Sequence, residues 1–526
     1  MLRDVRLGIV VPFACALLAT SGCQSRDLPS RDSSSGPSSA TLPPAPQVRS
    51  DVSSTSDVPV ACATLREVST SDAVRVEGST LFYAESGTGL TLVDISDPAK
   101  PRRMANVPFV GMPRALFVRE GIAWVVFTDF DARFTTADEA ATVVRAVDVT
   151  HPDAPVVVGD EVRIGHPRDA KLVGGVLYTL AATKTGSMVE SFSVRRGKLD
   201  WRDKVALDGA PAQLAASSAG LAVVTTFDAE SRVTWLDLPL ETPGTLVPRE
   251  TLHTPGGVAV WDRGDGRVVD ADDGQRVRLV TCATRSCGPE DAATLRILDF
   301  GGSASPRLSA SLRLTERGGL PLTRFSNEML FVGEASSTTP DTTILRIVRT
   351  DEPRPRLAAS MALRGLVSGF VARDTSLVAL GTTGRTEGQS RIVLHDLDVR
   401  RPDAPRLRGS ASFGSDWTWS PALDDEKALS FDPASHLVAV PFTAWRYADK
   451  RYVTGTQLVD LSRHGAQNLD TLPSEGFVER AVFVDGQLVT IGPDGVHAVD
   501  YGAARRGNMA ERSLDLGGAG SPTPAR

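Results

Sequence analysis

The chain lacks the marks of most enzyme and nucleic-acid-binding classes. Its 526 residues include only seven histidines, and none lies in a two-His helical motif or beside Cys or Glu at zinc spacing. There is no Gly-x-Ser-x-Gly elbow, no phosphate-cradling glycine loop after a strand and no dinucleotide fingerprint. A formal net charge of -7 argues against a nucleic-acid binder, which needs a basic stripe. Helical periodicity is nearly absent; the best helical stretch, Thr136 to Thr142, reads as a loop insertion. Lysine is scarce beside arginine, and cysteines number only five.

What is present begins with an export signal over residues 1–22. Arg3 and Arg6 precede an apolar run from Leu7 to Leu18, too short for a membrane span of roughly 20 residues. The run ends in Leu18-Ala19-Thr20-Ser21-Gly22-Cys23. Small residues at 21 and 22 let an extended chain enter a peptidase cleft, and the Cys23 thiol is the nucleophile that accepts a diacylglyceryl group. This resembles the bacterial lipobox, with Thr20 where that pattern more often has Leu. Residues 23–57 follow, rich in Ser, Pro, Thr and Asp. So few apolar side chains cannot offset the entropy of folding, and the segment reads as a disordered tether. Lipidation at Cys23 is the expectation. Gln24 after it fits sorting to the outer membrane of a Gram-negative bacterium.

Residues 58–516 carry a repeat. In the first unit, Asp72-Ala73-Val74-Arg75-Val76 is one strand, Glu77-Gly78 a turn and Thr80-Leu81-Phe82-Tyr83-Ala84 the next strand. A third strand, Leu90 to Ile95, runs through Asp94 into Ser96-Asp97-Pro98-Ala99-Lys100-Pro101, and Met104 to Val110 closes the unit. The second unit repeats this through Asp148 and His151-Pro152-Asp153-Ala154-Pro155, and a later one through Asp396 and Arg401-Pro402-Asp403-Ala404-Pro405. Glycine supplies the positive φ of a tight hairpin, and proline sits where no ladder bond is required. Nine units start near residues 73, 114, 168, 212, 257, 322, 367, 428 and 479. Four strands at this spacing predict an all-β fold, a β-propeller of eight or nine four-stranded blades. A two-domain sandwich leaves the recurring Asp-Pro loop unexplained. Residues 58–69 are available as the strand that closes the ring, and 517–526 read as a disordered tail.

The string Leu92-Val93-Asp94-Ile95-Ser96-Asp97-Pro98-Ala99-Lys100-Pro101 resembles the bacterial LVIVD repeat. Ala428 to Pro433, followed by Leu437 to Pro441, is similar to the secreted β-propeller domain family. The resemblance is clear in about four units and departs most around 258–350. It implies fold and export, and carries over no catalytic residue.

Four places invite chemistry. Asp265, Asp270, Asp272 and Asp273 lie in a Gly-bent stretch whose oxygens suit calcium, although the spacing is not that of an EF-hand; the other reading is a polar hairpin tip. Cys282 and Cys287 are close enough for a local disulfide in an oxidising compartment, the other reading being two free thiols. The Asp ending the third strand (Asp94, Asp148, Asp237, Asp299, Asp396, Asp460, Asp500) recurs in blade after blade, which points to turn fixing rather than catalysis. The cluster Trp417, Trp419, Trp445, Tyr447 and Tyr452 is either a recognition surface or inter-blade packing.

The favoured expectation is a membrane-tethered envelope propeller that binds or scaffolds an envelope or extracellular protein, with no cofactor, no nucleic-acid partner and contact to membrane only through its lipid. The alternative is an envelope enzyme, hydrolytic in character, with residues converging on the propeller axis, which no linear motif reveals.

Overall fold

The computed structural model describes residues 66–514, apart from breaks at 71, 130–139, 196–197, 228, 259–268, 273, 285–286, 302–304, 319–320, 352–353, 374, 385–388, 449, 463–464, 475, 494, 500 and 502–510. Cys23, the tether and the Thr136 segment therefore fall largely or wholly outside the described residues.

The described strands form nine antiparallel sheets of a β-propeller. Their innermost strands are Val74–Glu77, Gly111–Arg119, His166–Val173, Ala210–Ala216, Val269–Ala271, Leu322–Ser326, Leu366–Arg373, Ser430–Asp432 and Arg480–Val484. We number the blades 1 to 9 in that order. Eight of these strands start within three residues of the positions expected from the repeat; blade 5 begins at Val269 rather than 257, with Gly257 making only an isolated bridge to Cys282. The count is nine, the upper end of the expected range.

Blade 2 shows why these sequences make these strands. Its second strand, Ile122–Asp129, is buried from Ala123 onward, because a middle strand is covered on both faces by neighbouring blades. That is why it reads as a continuous apolar run, Ala123-Trp124-Val125-Val126-Phe127, rather than an alternating one. The outer strand, Val156–Ile164, is half-exposed to exposed along its length. The hairpin before Ile122 turns on Glu120 and Gly121, with φ of 52° and 76°, the left-handed pair that matches strand twist.

Nine apolar clusters hold the ring, one at each junction between neighbouring blades. Phe109 stacks on Phe127 at 4.5 Å between blades 1 and 2, and Trp235 on Phe300 at 6.0 Å between blades 4 and 5. The ninth junction closes the circle: Val489, Ile491 and Val496 pack against Val74, Leu81 and Tyr83. There the Tyr83 hydroxyl donates to Glu479 at 2.7 Å.

Closure needs no strand from the N-terminal end, since blade 9 takes all four of its strands from residues 480–514. The short strand Val68–Thr70 instead pairs with the inner edge of blade 3, Val68 opposite Val173. Asp72 then bridges to Leu116 of blade 2 before blade 1 begins. Residues 58–65 lie outside the described residues.

Candidate functional site

Antiparallel strands put their connections on alternate ends. One end of the ring, the turn face, carries the first-to-second and third-to-fourth connections of each blade. The other, the loop face, carries the second-to-third connections and the crossovers between blades.

The recurrent aspartates belong to the turn face and act as turn fixers. Asp94 accepts the Ser96 amide at 2.9 Å, Asp148 the Thr150 amide at 2.9 Å, Asp299 the Gly301 amide at 3.0 Å and Asp460 the Ser462 amide at 2.7 Å. Asp237 is held by Arg249 and the Trp235 indole instead. In blade 7 the residue at this position is Asp398, not Asp396. The third strand runs Arg391–Asp398, and Asp398 accepts the Arg400 amide at 3.1 Å. Hydrogen bonds from Arg400 hold its carboxyl down at about 2. Asp396 is fully buried, receives Arg408 at 2.7 Å, and is pushed up by burial. Asp500 lies outside the described residues. Loop aspartates also reach across blades: Arg102 of blade 1 meets Asp153 at 3.5 Å, and Arg356 of blade 6 meets Asp403 at 2.9 Å.

Of the four acidic residues considered for calcium, Asp265 and Asp273 lie outside the described residues. The other two answer to arginines of their own hairpin. Asp270 pairs with Arg278, burial raising its pKa against that cation. Asp272 accepts the Arg276 amide and guanidinium, both at 3.0 Å, and so fixes the turn. Among the described residues no three His, Cys, Asp or Glu side chains converge as a metal-holding group. His395 is buried between Ser410 (2.7 Å) and the Arg364 carbonyl (2.8 Å), and burial lowers its pKa.

Cys282 and Cys287 are joined by a disulfide, with Cα atoms 5.3 Å apart. It sits where blade 5 turns on the loop face, beside a cavity of about 590 Å³ between blades 5 and 6. Three arginines line that cavity, and each meets a glutamate: Arg313 with Glu316, Arg317 with Glu290, Arg346 with Glu334.

Blade 8 departs furthest from the repeat. Two pieces, Trp417–Trp419 and Ser430–Asp432, share the inner edge of the long strand Leu437–Arg446. Between them run two 3-10 turns, Pro421–Leu423 and Glu426–Ala428, capped by the side chains of Ser420 and Asp425. The acids of this insert are clasped by other blades. Arg480 of blade 9 donates to Asp425 at 2.5 Å, both nearly fully buried, and Arg324 of blade 6 donates to Glu426 at 2.8 Å.

Beside this insert the aromatics divide into two groups. Trp417, Trp445 and Tyr452 stand opposite one another on three adjacent strands. Trp417 is 44% exposed and Tyr452 65%, and Tyr447 at the hairpin tip is 61% exposed. Trp445 and Tyr452 rings lie 4.8 Å apart, while the Tyr447 amide donates to Asp416 at 2.8 Å. Trp419 turns the other way, stacking on Phe477 at 5.6 Å and donating to Asp424 at 3.2 Å. One row is surface; one residue is packing. The sequence signal for the row was the density of aromatics alone. The clasp had none, because its partners are distant in the chain.

One family comparison agrees on architecture. The family model of the beta propeller domain matches residues 371–503, from the end of blade 7's inner strand through most of blade 9. No curated protein matches the sequence. Among solved structures the chain is similar to a functionally unknown protein from Desulfotomaculum acetoxidans, at 10% identity over 64% of this chain and 92% of that one, with a TM-score of 0.35. It is also similar to Sqt1 of Saccharomyces cerevisiae, at 12% identity over 74% and 81%, with a TM-score of 0.35. A further similarity is to the Dos1 propeller, at 10% identity over 78% and 86%, with a TM-score of 0.37.

Proposed function

We propose that the chain is a lipid-anchored envelope module, tethered through Cys23 to the outer membrane of a Gram-negative bacterium, that binds a protein partner on the loop face of blade 8. The observation that carries the binding reading is the row Trp417, Trp445 and Tyr452, exposed at Trp417 and Tyr452 and half-buried at Trp445, with exposed Tyr447 beside it. Large aromatic side chains held on a rigid sheet lose little entropy on contact and dominate binding energy where they are desolvated. The lipobox-like leader and the Ser/Pro-rich segment behind it support the anchor.

The test is crosslinking and affinity capture from the native envelope, with Cys23→Ala and a Trp417→Ala/Tyr452→Ala double variant in parallel. The expected result is a stoichiometric partner that is lost from the aromatic variant and mislocalised with Cys23→Ala. Capture that survives removal of the aromatics overturns this surface, and absence of any partner overturns the scaffold reading.

A further inference from the structure

The turn face carries a second repeated feature, confined to three consecutive blades. The outer strands of blades 5, 6 and 7 open with the same tripeptide: Pro306-Arg307-Leu308, Pro355-Arg356-Leu357 and Pro405-Arg406-Leu407. The register is the same in all three. Leu308 faces Leu298, Leu357 faces Val348 and Leu407 faces Leu397, and a bulge follows each pair. The three leucines are 45%, 49% and 44% exposed, and the three arginines are exposed beside them. In blades 1, 2 and 8 the matching pairs are Arg102-Arg103, Val156-Val157 and Gln467-Asn468. The Arg-Leu pair is thus no requirement of the blade.

Single exposed leucines need no explanation, but the same exposed Arg-Leu pair at one register on three consecutive blades is a repeated surface feature. Residues 398–408, on the turn face of blade 7, hold four arginines against two aspartates, in a chain of net charge -7. The ion pairs here, Arg307 with Asp299 at 3.4 Å and Arg356 with Asp403 at 2.9 Å, join exposed groups. Such pairs are weak and exchange readily for another anion. Cations interleaved with aliphatics at one level match an interface that is anionic on top and apolar beneath.

We propose that the turn face of blades 5 to 7 docks on an anionic lipid surface, its arginines on headgroup phosphates and its leucines at the acyl boundary. This adds to the anchored reading a fixed orientation, with the aromatic row of blade 8 directed away from the membrane, and it rests on that reading for its biological setting.

The test uses the full chain carrying Cys23→Ala, so that no lipid is attached, in cosedimentation with vesicles of phosphatidylcholine alone or mixed with phosphatidylglycerol. Binding is expected to the mixed vesicles, to fall as salt is raised, and to weaken at least about tenfold in Arg307→Glu/Arg356→Glu/Arg406→Glu. The matching triple Lys variant is expected to bind as the parent does, and thermal melts of both variants check the fold. Equal binding to neutral vesicles overturns the proposal, as does a Glu variant that binds unchanged or a folded Lys variant that does not bind. Lipid labelling of the unsubstituted protein at Cys23 is read separately. Labelling without vesicle binding removes the docking face and keeps the anchor; vesicle binding without labelling does the reverse.

Discussion

The two faces of the ring are built on the same strands and differ in what ends them. On the turn face an aspartate closes the third strand and takes the amide two residues on, in blades 1, 2, 5, 7 and 8 alike. On the loop face a different device recurs, a Ser or Thr near the start of the third strand donating to a carbonyl at the crossover into the next blade, in blades 2, 3, 4, 6 and 8. Blade 5 has a disulfide there, and blade 8 a split inner strand with a capped insert and a row of aromatics. Local hydrogen bonds within a few residues fix the first kind of connection. Contacts with other blades hold the insert of blade 8: Asp425 and Glu426 are held by Arg480 and Arg324, 55 and 102 residues away. The aspartate turns are closed within a few residues of chain, whereas the insert of blade 8 draws its stability from two other blades.

That contrast predicts a gradient of effects, steepest at the clasp. Arg480→Met leaves the Asp425 carboxylate buried without its cation, and breaking one side of a buried pair typically costs about 3–5 kcal/mol. Denaturant unfolding measures it. Replacing both members, as Arg480→Met with Asp425→Leu, is expected to recover much of the loss, since the charge left behind is the expensive part. If the single variant is neutral, the insert is not held from outside and the contrast between the faces fails.

The turn-face aspartates come next. Asp398→Asn loses turn-fixing and charge-assisted bonds worth about 1 kcal/mol, and its pH dependence separates it from its neighbour. Asp398 has a depressed pKa near 2 in the folded state, so its contribution is present above the unfolded carboxylate range and disappears as pH falls through that value. Asp396, two residues earlier, has a raised pKa because burial outweighs Arg408. Its folded state takes up the proton more readily, so its contribution falls as pH rises through the raised value. Relative to the unsubstituted protein, Asp398→Asn should therefore lose ground with rising pH and Asp396→Asn should gain it. Melts across the acid range decide the point; parallel curves would mean that the two carboxylates share one environment.

The same pair shows what the sequence could carry. Nine units are legible because apolar second strands recur at a regular spacing, with a Gly turn or an Asp-Pro loop in several of them, and repetition marks local chemistry. The Asp of blade 7 was placed at 396 because His395-Asp396-Leu397 imitates the usual strand ending. Only the ladder, which continues to Asp398, shows that the strand is longer. The repeat places the start of blade 8 near 428, which is where its second inner piece lies. Trp417–Trp419 belongs to the same sheet, yet it sits eleven residues before that start, across an insert with no counterpart in the other units. The clasp of that insert joins side chains that periodicity never brings together. The Arg-Leu pairs were in plain view as a tripeptide, but their exposure depends on where the outer strand stands in the ring.

The smallest expected effect lies on the loop face, at Tyr447 among the aromatics of blade 8, and set beside Trp419 it tests whether surface and packing divide as the geometry has them. Tyr447 is 61% exposed at a hairpin tip and engages its neighbour through its backbone amide, which any residue supplies. Tyr447→Ala should shift stability by less than about 0.5 kcal/mol. Trp419 lies only partly exposed, stacked on Phe477 from the next blade and bonded to Asp424. Its replacement by alanine should cost at least the roughly 0.5–1.5 kcal/mol of an aromatic pair, with the lost burial added. Side by side in thermal melts, a measurable loss for Trp419 with none for Tyr447 assigns Trp419 to packing and Tyr447 to the surface. Equal losses would make Tyr447 part of the packing and shrink the binding surface to the three residues on the sheet.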